Sequence, residues 1–171
     1  HGLAQRRLAG CQFDVAVITN VTHEHLDFHG SWDAYMRSKA RLFENVAEAK
    51  TRRSKPRAID PTAVLNADDP RSMSNLLGIE AARQIIYAVA SELADVYARH
   101  IEFRPNGLYF RLITPLGEID IHSSLVGLYN VSNILAAASV GVALDLSLDS
   151  IAEGVAHLQP IPGRMERIEE G

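Results

Sequence analysis

Residues 13–30 read FDVAVITNVTHEHLDFHG. Phe13 to Ile18 is a short β-branched apolar run that closes on polar Thr19 and Asn20, which is how a parallel strand covered on both faces reads. Open α/β sheets place their ligands beyond the carboxyl ends of such strands. Here that position holds His23, Glu24, His25, Asp27 and His29, a density of ligand-type side chains that folding alone does not require. A strand followed directly by a ligand-bearing loop predicts an α/β protein with its site at the strand end.

Ser31 is placed to cap a helix running from there to about Lys50. The apolar residues of that helix, Trp32, Tyr35, Met36, Leu42, Phe43 and Val46, recur at three- and four-residue steps, so they form one stripe. Lys39 falls on the same stripe, four residues from Tyr35 and four from Phe43. An ammonium among apolar neighbours must pair, reach solvent along its stem, or give up its proton. The plain reading is a packed stem with a solvated head. The functional reading is a desolvated amine open to modification or catalysis, and the ligand-rich loop just before the helix favours it.

Farther along, Ala63–Asn66 reads as a second strand, Ala67-Asp68-Asp69-Pro70 breaks it, and a helix begins near Arg71. Ile85–Val89 reads as a third strand. From Ala94 to Gly127 the alternation of Val96, Ala98, Ile101 and Phe103, then Leu108, Phe110 and Leu112, then Ile119 and Ile121 predicts three antiparallel strands. Pro105-Asn106-Gly107 and Pro115-Leu116-Gly117 supply the turns between them. Asn130 to about Leu144 is apolar nearly all round, a buried helix. Ser147 caps a last helix that Pro160 and Pro162 terminate. Arg52, Arg53, Lys55 and Arg57 make a basic loop, read as a solvated surface. The fold class is therefore α/β: a mostly parallel sheet flanked by helices, with a small antiparallel β annex.

At 171 residues the chain has the size of one domain. Hydrophobic residues make up 47% and charged residues 22%, as in globular proteins generally. A net charge of −4 gives no reason to expect nucleic acid or an anionic membrane as partner. The single cysteine, Cys11, rules out an internal disulfide framework and fits a reducing, cytoplasmic setting. The longest nearly apolar run, Ile134 to Leu144, is about half a bilayer span. The sequence starts on His1-Gly2-Leu3 and stops on Glu169-Glu170-Gly171, and reads as a piece of something longer.

Two chemistries compete for the histidines. His23-x-His25-x-Asp27 with His29 nearby approaches the H-x-H-x-D-H pattern of dinuclear zinc hydrolases of the metallo-β-lactamase type; imidazole and carboxylate suit zinc. Phe28 intrudes between Asp27 and His29, however, and His100, His122 and His157 do not supply the later ligands in recognisable contexts. The second chemistry rests on a longer pattern: His1-Gly2-Leu3-x-Gln5-x-Arg7, Thr19-Asn20, His25-Leu26-Asp27-x-His29-Gly30, Lys39, Asn66-Ala67-Asp68-Asp69, Gly127-x-x-Asn130-Val131-Ser132-Asn133-Ile134-Leu135-Ala136-Ala137 and Gly163-Arg164-Met165-Glu166. In this order, over essentially residues 1–171, the pattern resembles the central, ATP-binding domain of the Mur ligase family. The particular likeness is to the branch that adds the third amino acid of the peptidoglycan stem. Other ligases with this central domain, folylpolyglutamate and cyanophycin synthetases, stand as alternatives, as does a binding module without catalysis.

The resemblance implies a P-loop NTPase-like fold and an amide-forming reaction in the cytoplasm. ATP phosphorylates a carboxylate of a UDP-N-acetylmuramoyl peptide, and the amino group of an amino acid displaces phosphate. It implies that Lys39 is carbamylated, which turns an ammonium into a carboxylate able to hold Mg2+, and that His25 is a ligand of the same ion; an imidazole ligand suggests that Mn2+ could substitute. It implies substrate contacts for Gln5 and Arg7 and nucleotide contacts for Tyr129, Asn130, Asn133 and Arg164. It assigns no chemistry to Asn66–Asp69, where helix capping explains the aspartates equally well. The family's Gly-x-x-Gly-Lys-Thr phosphate loop occurs nowhere in the sequence, nor do the family's amino- and carboxyl-terminal domains. The 171 residues are thus expected to be a central-domain fragment, monomeric and inactive alone, with no membrane or nucleic-acid partner.

Overall fold

The computed structural model describes residues 2–3, 5, 7–8, 10–21, 30–49 and 59–159. Six strands form one sheet in sequence order: β1 (Val15–Val17), β2 (Thr62–Asn66), β3 (Arg83–Ala88), β4 (Val96–Arg104), β5 (Gly107–Thr114) and β6 (Gly117–Ser123). Pairing is parallel from β1 through β4 and antiparallel from β4 through β6. Four helices flank it among the described residues: α1 (Trp32–Ala49), α2 (Pro70–Leu76), α3 (Leu128–Ala143) and α4 (Leu148–Ala156).

The expected antiparallel annex is present and continues the parallel sheet. Only seven residues join β3 to β4, too few for the usual helical crossover between parallel neighbours. The geometry works because the strands overlap only at Tyr87↔Val96 and Ala88↔Tyr97. β4 starts where β3 ends and runs on in the same direction, carrying β5 and β6 beyond the parallel half. Asp95 fastens the junction: its N–H donates to Ile86 O at 2.9 Å and its carboxylate accepts from Ile86 N at 2.8 Å.

β2 is buried at every position, and its side chains alternate between two cores. Val64 faces a core shared with α3 and α4 that holds Ile85, Tyr87, Leu112, Ile134 and Leu135. Ala63 and Leu65 face a second core with α1 and α2, holding Trp32, Met36, Phe43, Val46 and Leu76. The stripe read along α1 is the face it buries: Trp32, Met36, Phe43 and Val46 lie inside, each contributing about 1.5–3 kcal/mol. Ser31 caps α1 by accepting from Ala34 N at 3.1 Å, and Ser147 caps α4 by accepting from Ser150 N at 3.2 Å.

Most boundaries agree with the sequence reading within about two residues, and the differences with a physical cause are at β1, α4 and β5. β1 is confined to Val15–Val17, because beyond Ile18 the backbone bonds to side chains instead of to a neighbouring strand. α4 ends at Ala156, ahead of Pro160; the His157 N–H and ring Nδ1 both lie on Glu153 O and close the helix without proline. Gly107, expected as a turn residue, opens β5 at φ +141°, where an added Cβ would lie 2.1 Å from Ser123 O. Only glycine fits there.

Candidate nucleotide-binding site

The carboxyl ends of β1, β2 and β3 and the first turn of α3 enclose a cleft of ≈ 640 Å³, within the about 300–1,000 Å³ typical of small-molecule sites. Thr19 and Asn20 follow β1, Asn66–Asp69 follow β2 and Val89–Ser91 follow β3, while Leu128, Tyr129, Ser132 and Asn133 come from α3.

The floor is made by the motif that the sequence left without a role. Asn66 donates from Nδ2 to Thr19 O and accepts at Oδ1 from Asp68 N at 2.9 Å. Asp68 accepts from two consecutive amides of the loop after β3, Val89 N at 2.6 Å and Ala90 N at 3.1 Å. Asp69 caps α2 by accepting from Ser72 N at 3.1 Å, and its second oxygen accepts from Ser72 Oγ and from Val21 N at 3.0 Å. Capping is therefore half of the account: it explains Asp69 toward α2, but Asp68 and the second Asp69 oxygen reach other loops. Tyr87 lies beneath, fully buried, with its hydroxyl donating to Ile18 O at 3.0 Å. Burial pushes its phenol up to about 12; the Ser132 hydroxyl works against that shift, and the charges of Asp68 and Asp69 add to it.

The opposite wall carries the aromatic. Tyr129 is half exposed, and Gly127, at φ +92°, makes room for it: a Cβ there would sit 2.5 Å from the Tyr129 ring. Asn130 donates to Val126 O at 2.7 Å and accepts from Asn133 Nδ2 at 3.3 Å. It braces the start of α3, and Asn133 presents its amide to the cleft.

The structure thus brings Tyr129 and Asn133 together in the cleft wall, with Asn130 behind them. Gln5 and Arg7 are exposed in a turned segment outside the cleft. Lys39 is half-buried on α1, its Nζ 5.1 Å from the centroid of the Tyr35 ring, and none of the described carboxylates pairs with it. His23, His25, Asp27, His29, Arg164 and the basic loop at Arg52–Arg57 lie outside the described residues. Among the described residues no three His, Cys, Asp or Glu side chains converge as metal ligands. Nor is any described helix long and apolar enough to cross a membrane.

Comparison with known proteins agrees with this geometry. The sequence model of the Mur ligase middle domain matches residues 1–141. The UDP-N-acetylmuramoyl-L-alanyl-D-glutamate–2,6-diaminopimelate ligase of Geobacillus thermodenitrificans is 43% identical over 171 residues, covering 100% of this chain and 34% of that protein. The UDP-N-acetylmuramyl-tripeptide synthetase of a Roseiflexus species is 44% identical over 176 residues, again 34% of its length. Among solved structures, a UDP-N-acetylmuramoyl-L-alanyl-D-glutamate–2,6-diaminopimelate ligase superposes over 100% of this chain and 33% of its own, with a TM-score of 0.81 and 30% identity. A MurF ligase of Thermotoga maritima in complex with ADP shares the fold, with a TM-score of 0.73 and 20% identity, over 99% of this chain and 36% of its own. The chain spans about a third of the length of the curated relatives it matches.

Proposed function

The chain belongs to the Mur ligase family through its middle domain, and from that premise we propose that the cleft is the nucleotide-binding half of an ATP-dependent amide ligase. The reaction is addition of 2,6-diaminopimelate to a UDP-N-acetylmuramoyl dipeptide. The observation that carries the reading is the end-to-end likeness to two differently named tripeptide-forming ligases, joined to a cleft of nucleoside size at the strand ends. The match over residues 1–141 leaves the dinuclear zinc hydrolase without support.

Each wall of the cleft has a chemistry suited to one part of the nucleotide. Tyr129 offers an exposed ring face for adenine to stack on. Asn133 offers an amide with both donor and acceptor for the edge of the base. Gly127 caps α3 without a side-chain bond, and the dipole of the helix favours negative charge near its first turn. Arg164 would meet the ribose, and the exposed Gln5 and Arg7 would grip the acidic UDP-muramoyl peptide. His25 and a carbamylated Lys39 would hold the divalent cation, Mg2+ or Mn2+, which when bound neutralises charge on the transferring phosphoryl group. A carbamylated Lys39 would offer its oxygens to that cation from a packed helix.

The test uses a ligase that carries this domain at the length of its relatives. Given ATP, the UDP-N-acetylmuramoyl dipeptide and diaminopimelate, it should yield ADP, phosphate and the tripeptide in equal amounts. AMP release, or zinc-dependent hydrolysis without ligation, would sink the reading. Lys39→Ala should lower kcat by at least about 100-fold while moving the melting temperature by less than about 3 °C. Near-normal turnover in that variant would leave Lys39 a packed stem and nothing more.

A further inference from the structure

The loop that joins β3 to β4, residues 89–95, borders the cleft, and Val89, Ala90 and Ser91 line it. Its far end is fastened by Asp95, whose N–H and carboxylate both bond to Ile86. Its near end is fastened by Asp68, which accepts from Val89 N at 2.6 Å and from Ala90 N at 3.1 Å. Val89 also sets its side chain against the core, but Ala90 is exposed. In between, Leu93 N donates to Ser91 Oγ at 3.3 Å, a bond internal to the loop.

Asp68 is exposed, and folding gives little account of it. The cap of α2 is Asp69. Amides at a surface are ordinarily left to water. A carboxylate lining a cleft for a polyanion also repels its own ligand. Its place is nevertheless set by the bonds around it. Asn66 Oδ1 accepts from Asp68 N at 2.9 Å, Asn66 Nδ2 donates to Thr19 O, and Ala67 N donates to Tyr87 O at 2.9 Å. The run 66–68 thereby ties the end of β1 to the end of β3 and, through Asp68, to the loop beyond. Both bonds that Asp68 accepts are charge-assisted, the stronger kind.

We infer that Asp68 is a positioning residue for the nucleotide: by gripping the Val89 and Ala90 amides it holds the loop after β3 in place as a cleft wall before the nucleotide arrives. The inference rests on the reading above, in which this cleft takes the nucleotide. It gives the Asn66–Asp69 motif a task that capping does not cover. Without the grip the nucleotide would have to order the loop itself, and its affinity falls with the fraction of time the loop is in place.

Two variants of the ligase at the length of its relatives test this. Asp68→Asn keeps the shape and one oxygen but turns an NH2 group toward the second amide, a donor facing a donor. Asp68→Ser gives up both grips. Calorimetry with ADP should show affinity about tenfold weaker in Asp68→Asn, and weaker again in Asp68→Ser. The sign is decisive, because removing a negative charge beside an anionic ligand would by charge alone tighten binding. KM for ATP should rise by the same factor, with kcat and the KM values for the UDP-muramoyl dipeptide and diaminopimelate within about twofold. Amide exchange should quicken in a peptide spanning residues 89–91 and not in the β5–β6 ladder, and saturating ADP should restore the protection. ADP affinity within about twofold of the parent, or tighter, overturns the inference. So does an equal rise of all three KM values, faster exchange throughout the sheet, or loss of fold in both variants. The reading of the cleft fails separately: a parent enzyme that binds no ADP, or binds it equally well after Tyr129→Ala and after Asn133→Ala, removes the nucleotide from this cleft before Asp68 is touched.

Discussion

The two ends of the sheet are held together by different means. From β4 to β6 the strands pair through long ladders, Tyr109↔His122 and Phe110↔Ile121 among them, and their outer side chains meet as exposed pairs such as Arg111–Asp120 and Arg104–Glu102. At the carboxyl ends of β1 to β3 the ladder is in its last pairs, such as Asn66↔Tyr87. There the side chains of Asn66, Asp68, Asp69 and Tyr87 bond to backbone 21 to 69 residues away in sequence. A ladder tolerates most changes of side chain because its bonds are backbone to backbone. A side-chain ligature is lost with one substitution, and a buried group left unpaired costs about 1–3 kcal/mol. The annex is thus robust to mutation except where backbone geometry is tight, and the cleft floor is vulnerable at nearly every polar residue. That is the arrangement expected where ligand geometry must be held to a fraction of an ångström.

The largest effect should come from the annex, at its one tight spot. In Gly107→Ala the new Cβ meets the backbone oxygen of Ser123 at 2.1 Å, and φ +141° is strained for any L side chain. Neither can relax without parting β5 from β6, so urea denaturation should show a loss of roughly 3–4 kcal/mol. A loss below about 1 kcal/mol would mean the ladder yields at this point.

Tyr87 gives the next effect, on the side of the cleft. Its phenol is raised by burial to about 12, from 10.0 in the unfolded chain. Between those values the unfolded chain releases the proton while the folded chain keeps it, so stability falls as pH rises. The contribution is fully present below pH 10 and is lost through about pH 12, amounting to about 3 kcal/mol. Tyr87→Phe removes this slope along with the bond to Ile18 O. Denaturation midpoints of the two proteins across pH 9–12 should converge as pH rises; parallel curves would place the phenol in water.

Gly127→Ala applies the same chemical change as Gly107→Ala, but at the cleft. The Cβ would lie 2.5 Å from the Tyr129 ring, a half-exposed side chain that can swing away. Function should therefore suffer more than stability: KM for ATP should rise about tenfold with a smaller fall in unfolding free energy than at Gly107. An unchanged KM would remove Tyr129 from the base-stacking role.

The same contrast decides what could be read from the sequence. The α1 stripe and the serine caps were legible because their partners lie within a few residues, where periodicity and capping rules apply. The cleft wall at Tyr129 and Asn133 was reached through resemblance, not pattern. The work of Asp68 and Asp69 was not legible, since their partners Val89 and Val21 are 21 and 48 residues away and are backbone groups with no side-chain signature. β1 read too long for the same reason. Ile18 is buried like a strand residue, but its carbonyl bonds to Tyr87, 69 residues on. The continuity of β3 with β4 was hidden because it rests on two residue pairs.

The smallest effect expected completes the comparison. Arg111 holds Asp120 with Nε to Oδ1 at 2.6 Å and Nη2 to Oδ2 at 3.1 Å, a two-pronged contact that looks strong on distance alone. The Asp120 side chain is 78% exposed, however, and Arg111 also has Glu118 at 3.2 Å. Water screens the pair, and the second carboxylate takes over when the first is removed. Asp120→Ala should therefore cost less than about 1 kcal/mol in urea denaturation, and less again in molar salt, where the Debye length shrinks to about 3 Å. The strand beneath keeps its register through Phe110↔Ile121 and Leu112↔Ile119 whether or not the charges meet. A loss comparable to that at Gly107 would show that surface charge carries the annex after all, and the contrast between a ladder-held half and a side-chain-held half would have to be given up.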